Sequence, residues 1–252
     1  MTKIAIQGIG GRMGQALCRL IEARSDCQVV AGVDLRANPA AQPPVYESLE
    51  AMSEQPDVLI DFSSPAATAK AVGWCAEHKV PCVICTTGLD EATERALVQL
   101  SQHVAVFKSA NMSMGINLLI ELARTAVQML GEDYDIEIIE KHHHNKVDAP
   151  SGTALMIADE INDAANGAYH YVYDRHAVRQ PRDKHEIGLH AVRGGSIVGE
   201  HEVLLCGPDE VISLGHSAAS REVFANGAVN AAVFLAGKGP GLYSMKDMMR
   251  HE

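Results

Sequence analysis

Lys3-Ile4-Ala5-Ile6-Gln7-Gly8-Ile9-Gly10-Gly11-Arg12-Met13-Gly14 is the stretch that decides the fold. Lys3 to Gln7 reads as a short apolar strand, Gly8 to Gly14 as a glycine-rich turn, and Gln15 to Ala23 as a helix with Ala16, Leu17, Leu20 and Ile21 at helical spacing. A second strand, Gln28 to Val33, runs into Asp34. Without Cβ atoms the backbone can turn sharply and come close to a pyrophosphate, and the helix start behind it offers N–H donors. An acid about 20 residues further on, at the end of the second strand, stands where a ribose hydroxyl is read. The competing reading is a glycine turn that only packs helix on strand.

Outward from this unit the alternation continues. Val58 to Phe62, Val80 to Cys85 and Val104 to Phe107 read as strands, and Ala66 to Glu77 and Glu91 to Gln102 as helices. Strands alternating with helices describe a parallel, doubly wound α/β sheet of Rossmann-like type. In such sheets the crevice lies at the carboxyl ends of the strands. Asp61-Phe62-Ser63-Ser64-Pro65 and Thr86-Thr87-Gly88 sit there, as cofactor contacts, as helix caps such as Ser64 before Pro65, or as both. After Ser109-Ala110-Asn111-Met112-Ser113 the pattern changes. A long helix, Ile116 to Leu130, is followed by a strand, Asp135 to Glu140, with Ile136 and Ile138 on one face, and then by clustered strands at Glu186 to Val192, Glu202 to Leu205 and Glu210 to Leu214. This succession predicts a second, C-terminal α+β domain with a mixed or antiparallel sheet. Ala218 to Ala236 reads as a closing helix, Asn166 to Arg182 as the most mobile loop and Ala37 to Pro44 as another.

The 252 residues exceed one average domain, and 47% hydrophobic with 21% charged residues is ordinary globular usage. Only 4% are aromatic, so the core must be aliphatic. A net charge of −11 speaks against nucleic acid or an anionic membrane surface as partner. No leader pattern or spanning apolar run is visible, and the six scattered cysteines suggest no disulfide framework, so a cytoplasmic setting is expected. Cys82 and Cys85 form a C-x-x-C, but inside a strand residues three apart point to opposite faces. An anionic ligand would therefore need a local basic site.

Glu140-Lys141-His142-His143-His144-Asn145-Lys146-Val147-Asp148-Ala149-Pro150-Ser151-Gly152-Thr153 supplies one. It follows a strand and precedes a helix beginning near Gly152, which brings imidazoles, ammonium groups, hydroxyls and helix-terminal amides into one region. Three readings compete: a general-acid and anion site, zinc ligation, and a solvated polar loop. Consecutive histidines diverge and no partner motif completes a zinc set, so no metal is expected.

Taken together these segments resemble the 4-hydroxy-tetrahydrodipicolinate reductase (dihydrodipicolinate reductase) family. The resemblance spans the whole chain. Its most specific part is the run Glu140 to Thr153, which fits E-x-H-H-x-x-K-x-D-x-P-S-G-T. GxxGRMG, DFS, TTG, A-N-x-S-x-G, Gly194 to His201, Ser220-Arg221 to Gly227-Ala228, and Gly241 to Met245 support it. The resemblance implies hydride transfer from NADH or NADPH to a small anionic cyclic dicarboxylate imine, with loss of water, in lysine (diaminopimelate) biosynthesis. It makes His142 the acid and Lys146 a stabiliser of negative charge or a further proton donor. His143, Gly152 and Thr153 would hold substrate carboxylates, with Lys141 a bystander on a solvated face. On the cofactor side it implies Gly8, Ile9, Gly10, Gly11, Arg12 and Met13 at the pyrophosphate, Asp34 at the ribose, Cys85, Thr86 and Thr87, and Ser109, Ala110, Asn111 and Met112 near the nicotinamide. Cys85 stands where relatives often have Gly. Leu35 follows Asp34 where some relatives place an Arg that can pair with a 2′-phosphate, whereas an acid repels one; Arg36 is adjacent and can substitute, so a preference for NADH with some NADPH use is expected. The resemblance further implies a dinucleotide-binding domain at 1–112 completed by about 221–252, a substrate-binding and oligomerisation domain at 113–220, and a homotetramer. A different nicotinamide-dependent dehydrogenase, acting on aspartate or a semialdehyde, and a dinucleotide-sensing regulator are the alternatives. The semialdehyde version needs a nucleophilic cysteine that none of the six convincingly offers, and a regulator leaves the histidine cluster without a task.

Overall fold

The protein is described from a computed structural model over residues 1–249; residues 250–252 of the expected 221–252 segment lie outside the described residues. The first elements are β1 (Thr2–Gln7), α1 (Arg12–Glu22), β2 (Cys27–Val33), β3 (Val45–Tyr46), β4 (Val58–Asp61), α2 (Pro65–His78), β5 (Cys82–Ile84), α3 (Glu91–Leu100) and β6 (Ala105–Lys108). There follow α4 (Met114–Leu130), β7 (Asp135–His142), α5 (Gly152–Ala164), β8 (His170–Val172), β9 (Glu186–Arg193), β10 (Glu200–Cys206) and β11 (Val211–Ser217). The described residues close with α6 (Glu222–Leu235), β12 (Gly241–Tyr243) and α7 (Met245–Met249).

Two units result, one holding the residues up to Met114 and from Glu222 onward, the other Gly115–Arg221. In the first, seven strands run in the order β12-β6-β5-β4-β1-β2-β3, and every pairing is parallel. Such a sheet buries both faces, so its strands read as continuous apolar runs. Ile4, Ile6, Ile60, Val83 and Phe107 pack on one side with Leu17 and Ile21 of α1 and the small residues Ala225, Ala228, Ala231 and Ala232 of α6. Ala5, Leu59, Cys82, Ile84 and Val106 point the other way, onto Ala71, Trp74 and Cys75 of α2 and Leu97 and Leu100 of α3. The small side chains of α6 allow close approach. A Cβ on Gly227 would stand 1.7 Å from the Met112 carbonyl oxygen. Gly227→Ala is therefore expected to overpack this contact by about 1–3 kcal/mol, which lowers Tm by roughly 2–4 °C per kcal/mol at this chain length. An unchanged melting curve would contradict it.

The second unit is a five-stranded mixed sheet in the order β11-β10-β7-β9-β8, with β7 parallel to β9 and antiparallel to β10. Helices cover one face. Ile136, Ile138, Ile187, Leu189, Val203 and Leu205 pack against Ile116, Ile120 and Ala123 of α4 and Ile157 and Ile161 of α5. The other face carries half-buried residues such as Glu137, Ile139, Lys141 and Leu204.

Several local expectations are corrected. The glycine turn is shorter than expected, because Gly11 is already the cap and accepts from the Gln15 amide at 3.0 Å, so α1 begins at Arg12. The closing helix starts at Glu222 and not at Ala218, because β11 continues to Ser217 and the Ala218 amide donates to the Gly199 carbonyl at 2.9 Å. The polar segment Asn166 to Arg182 is partly strand, with β8 parallel to β9. Its arginines are anchored: Arg182 pairs with Glu137 at 3.0 Å and Asp135 at 2.9 Å, and Arg175 with Glu137 at 3.1 Å and with Glu186. Polar residues without a period are here held by opposite charges.

Candidate active site

The nucleotide-like turn is built at the carboxyl ends of β1, β2 and β4. Gly8 has φ +83°, and a Cβ there would sit 2.4 Å from the Phe62 carbonyl oxygen, so only glycine fits. Asp34 follows directly on β2 and accepts from the Gly10 amide at 2.9 Å and the amide of its neighbour Leu35 at 2.7 Å, which fixes its carboxylate over the turn. Beside it opens a cavity of about 500 Å³ walled by Gly8, Gly11, Asp34, Glu47, Glu50 and Lys70 among others. A bare glycine cradle, a fixed acid and a cavity of this size fit the sugar end of a dinucleotide. Ile9 and Met112 turn their side chains into the core, so contacts from them to a bound group go through the backbone. Arg12, Thr87 and Ala110 are exposed, and Met13, Thr86, Cys85 and Ser109 half-buried. Asn111 is buried, its side-chain oxygen accepting from the Ser113 amide at 2.8 Å and its carbonyl from the Ser109 hydroxyl at 2.9 Å.

Behind the turn lies Asp61, fully buried at the end of β4. It accepts from the hydroxyls of Ser63, Thr68 at 2.5 Å and Thr86 at 3.0 Å, and so ties the loop after β4 to the loop after β5. Burial raises its carboxyl above the usual range, against the pull of those hydroxyls. Burial and the Asp61 carboxylate likewise push the Cys85 thiol well up, which leaves it a poor nucleophile. Ser64 caps α2 ahead of Pro65 without a side-chain hydrogen bond, and it lines the cavity.

The histidine segment lies in the other unit. Alternate residues of β7 face the helices, and the strand runs two residues beyond the expected end at Glu140, so Ile136, Ile138, Glu140 and His142 share one face. His142 is thus a buried strand residue, 9% exposed. Its Nδ1 lies 2.6 Å from Glu140 Oε2. Arg193, at the end of β9, donates to both Glu140 oxygens at 2.7 and 2.6 Å, and the Ser151 amide adds a bond at 3.0 Å. Burial alone would raise the Glu140 carboxyl, but the bonds from Arg193, His142 and Ser151 outweigh it and hold it below the usual range. Lys141 turns to the opposite face of the sheet, where it pairs with Glu200 at 3.1 Å.

Beyond β7 the chain curls back toward α5. The Gly194 amide donates to the His142 carbonyl at 2.9 Å and the Lys146 amide to the His143 carbonyl at 3.1 Å. Lys146 pairs with Asp148 at 2.9 Å, and this bond holds the Asp148 carboxyl below its ordinary value. The Ser151 hydroxyl caps α5 by accepting from the Ala154 amide at 3.1 Å, and lies 3.0 Å from Nε2 of His201. The His201 ring meets His142 edge to face, centroids 5.2 Å apart. Burial first, then the neighbouring His142, pushes the His201 imidazole down to about 4. His143 Nε2 is 3.3 Å from Arg221, and desolvation together with Arg221, His142, Lys146 and His144 lowers its imidazole. His142, Lys146, His143, Gly152 and Thr153 all fall within this one unit. Glu140, Arg193, Ser151, His201 and Arg221 join them. Arg193 carries no sequence signal and His201 only that of closing the Gly194 to His201 match, because the sheet register alone sets them opposite His142 and Glu140.

Among the described residues no group of three His, Cys, Asp or Glu side chains is arranged to hold a metal, and no helix is long and apolar enough to cross a membrane. The arrangement offers a buried imidazole on a fixed carboxylate, an ammonium group and a helix start, which suits donating a proton and holding an anion.

Comparison with known proteins gives two family models, dihydrodipicolinate reductase N-terminus over residues 2–112 and C-terminus over residues 115–249. A 4-hydroxy-tetrahydrodipicolinate reductase of Caldanaerobacter subterraneus subsp. tengcongensis is 49% identical over 250 residues, 99% of each chain. One of Clostridium tetani is 43% identical over 249 residues, 99% of this chain and 97% of its own. In fold, the dipicolinate-bound dihydrodipicolinate reductase of Paenisporosarcina sp. TG-14 is similar with a TM-score of 0.81 at 24% identity, covering 99% of this chain and 100% of that one. Aspartate dehydrogenase of Thermotoga maritima shares the general fold at a TM-score of 0.54 and 12% identity, covering 94% of this chain and 98% of that one. Two models that together span nearly the whole chain, and relatives of full length well above the level at which fold alone is conserved, lead to one statement: the chain belongs to the dihydrodipicolinate reductase family.

Proposed function

We propose that this chain reduces 4-hydroxy-tetrahydrodipicolinate to tetrahydrodipicolinate with loss of water, in lysine (diaminopimelate) biosynthesis, with NADH as preferred hydride donor. The observation that carries the reading is the meeting of His142, Lys146 and the α5 start in one unit of a chain whose full-length relatives bear that name. A bound nicotinamide supplies the hydride. The unit of the parallel sheet would hold it, through the backbone of Gly8 to Met13, Asp34 at the adenosine ribose, and the loops at Cys85 to Thr87 and Ser109 to Met112. Loss of the 4-hydroxyl as water leaves a C=C conjugated with the ring imine, and hydride addition to it leaves electron density on the ring that must take up a proton. His142 is the side chain placed to give that proton. Lys146 stabilises the developing negative charge. The substrate is a dicarboxylate, and His143, the Gly152 and Thr153 amides and the Thr153 hydroxyl receive its carboxylates. Lys146 exchanges its Asp148 partner for the substrate as it does so.

Cofactor choice follows from the cavity wall. Asp34, Glu47 and Glu50 line it, with Lys70 as the basic residue there, and Leu35 is 94% exposed where an arginine would face a 2′-phosphate. Three carboxylates repel that phosphate, whereas Asp34 can accept from two ribose hydroxyls. The ratio of kcat/KM values is expected to favour NADH by roughly tenfold, about 1.4 kcal/mol, and Asp34→Ala to narrow it. Equal or better efficiency with NADPH in the native protein overturns the preference. The reaction itself is tested by supplying enzymatically generated substrate with NADH and following cofactor oxidation. No oxidation ends the assignment.

We take the setting to be the cytoplasm and the assembly a homotetramer built on the second sheet, whose helix-free face carries Ile139 and Leu204 half-buried. Sedimentation as a monomer at working concentration overturns the assembly.

A further inference from the structure

Burial of a carboxylate in this fold is costly unless each lone pair is used. The Glu140 side chain is 1% exposed. It accepts two bonds from Arg193, one from the Ser151 amide and one from His142 Nδ1, which fills the roughly four acceptor positions of a carboxylate. A group held below the usual carboxyl range by these donors is ionised and can only accept. The proton in the 2.6 Å contact therefore sits on His142 Nδ1, whichever charge the ring carries. Nε2 is left as the one ring atom that can give or take a proton. It lies against buried Gly199, where a Cβ would stand 3.1 Å from it. The sheet register makes this arrangement rigid: Arg193 is opposite His142 on β9, and His201 opposite Glu140 on β10.

We infer that Glu140, clamped by Arg193, is a positioning residue that fixes His142 Nε2 as the proton-transferring atom, and that the missing Cβ at Gly199 keeps that atom uncrowded. The inference rests on His142 being the proton donor of the proposed reaction. A purely structural role for Glu140, tying β7 to β9 and α5, would leave turnover intact once the protein folds.

The test compares Glu140→Gln, Glu140→Asp, Gly199→Ala and His142→Asn in the full chain, with kcat and KM measured separately and imidazole N–H resonances recorded by NMR. Glu140→Asp keeps a negative partner for Arg193 but withdraws the carboxylate by one methylene. It is expected to fold and to lose kcat by roughly 10–10²-fold at little changed KM, as is Glu140→Gln. Gly199→Ala is expected to fold with a melting temperature lowered by the crowding of the ring, and to lower kcat. The native protein should show a downfield, hydrogen-bonded imidazole N–H signal that is absent from His142→Asn and displaced in both Glu140 variants. Wild-type kcat in folded Glu140→Asp and Glu140→Gln, with His142→Asn inactive, overturns the positioning role and spares the assignment of His142. Wild-type kcat in Gly199→Ala overturns the role of Gly199. An active His142→Asn overturns the reading beneath both. Should Glu140→Gln fail to fold, the native N–H signal and Glu140→Asp still decide, and absence of that signal counts against the proposal.

Discussion

Replacing His142 with alanine is expected to lower kcat by about 10²–10⁴-fold, the range of a positioned general acid, and to lower the melting temperature as well, because the buried Glu140 carboxylate loses one of its hydrogen bonds. The imidazole is buried against Glu140, His201 and Gly199, so a smaller side chain admits water, and water is a far poorer acid at neutral pH. Lys146→Ala acts differently. It removes the charge proposed to help the ring accept electron density and frees Asp148, and a loss of roughly 10²–10³ in kcat/KM is expected. Stopped-flow or steady-state oxidation of NADH with each variant checks both. Near-normal turnover by the two together would remove the proposed roles from this segment.

Acid is expected to weaken the second unit well before general acid denaturation. His201 is 4% exposed and titrates at about 4 when folded, against an ordinary 6.5 when exposed. Between those values the unfolded chain binds the proton and the folded chain does not, so stability rises with pH across the window. Near neutral pH the contribution is intact. As pH falls from 6.5 toward 4 it is lost, by about 3 kcal/mol at 1.36 kcal/mol per unit. Glu140 adds a second loss at lower pH, because its carboxyl is depressed in the folded state and its stabilisation disappears as it protonates. Urea midpoints measured from pH 7 to pH 4 check the slope. His201→Gln, which can keep the contact to Ser151 without gaining a charge, should flatten the upper part of the curve. The same slope in that variant would place the effect elsewhere.

Much of the parallel unit is legible in the sequence because its signals are local. The strand Lys3 to Gln7, the glycines and Asp34 lie within one stretch, and each alternation of apolar runs with helical spacing adds an element without reference to the rest. The short strands were not legible. Val45–Tyr46, His170–Val172 and Gly241–Tyr243 are too brief for a period, and exist because a neighbouring edge supplies hydrogen bonds. The site shows the same division. His142, Lys146, Gly152 and Thr153 are close in sequence and could be named together. Their supports could not, since Arg193 and His201 are brought in only by register across β7, β9 and β10. A strand ending at Glu140 also hides the pairing of Glu140 with His142, which depends on the strand continuing through both.

The return of α6 and β12 to the first sheet has a consequence for how the protein is made. A ribosome releases Gly115–Arg221 as one continuous piece, able to close its own core as it emerges. The earlier residues must wait, since Ala225 to Leu235 cover Ile4, Ile60 and Phe107, and β12 closes the open edge of β6. A chain stopped near residue 221 would carry a finished second unit beside an apolar sheet face and a bare strand edge, the features that drive aggregation. Nonsense variants late in the reading frame should therefore accumulate as insoluble protein, and not as a shortened, partly active enzyme.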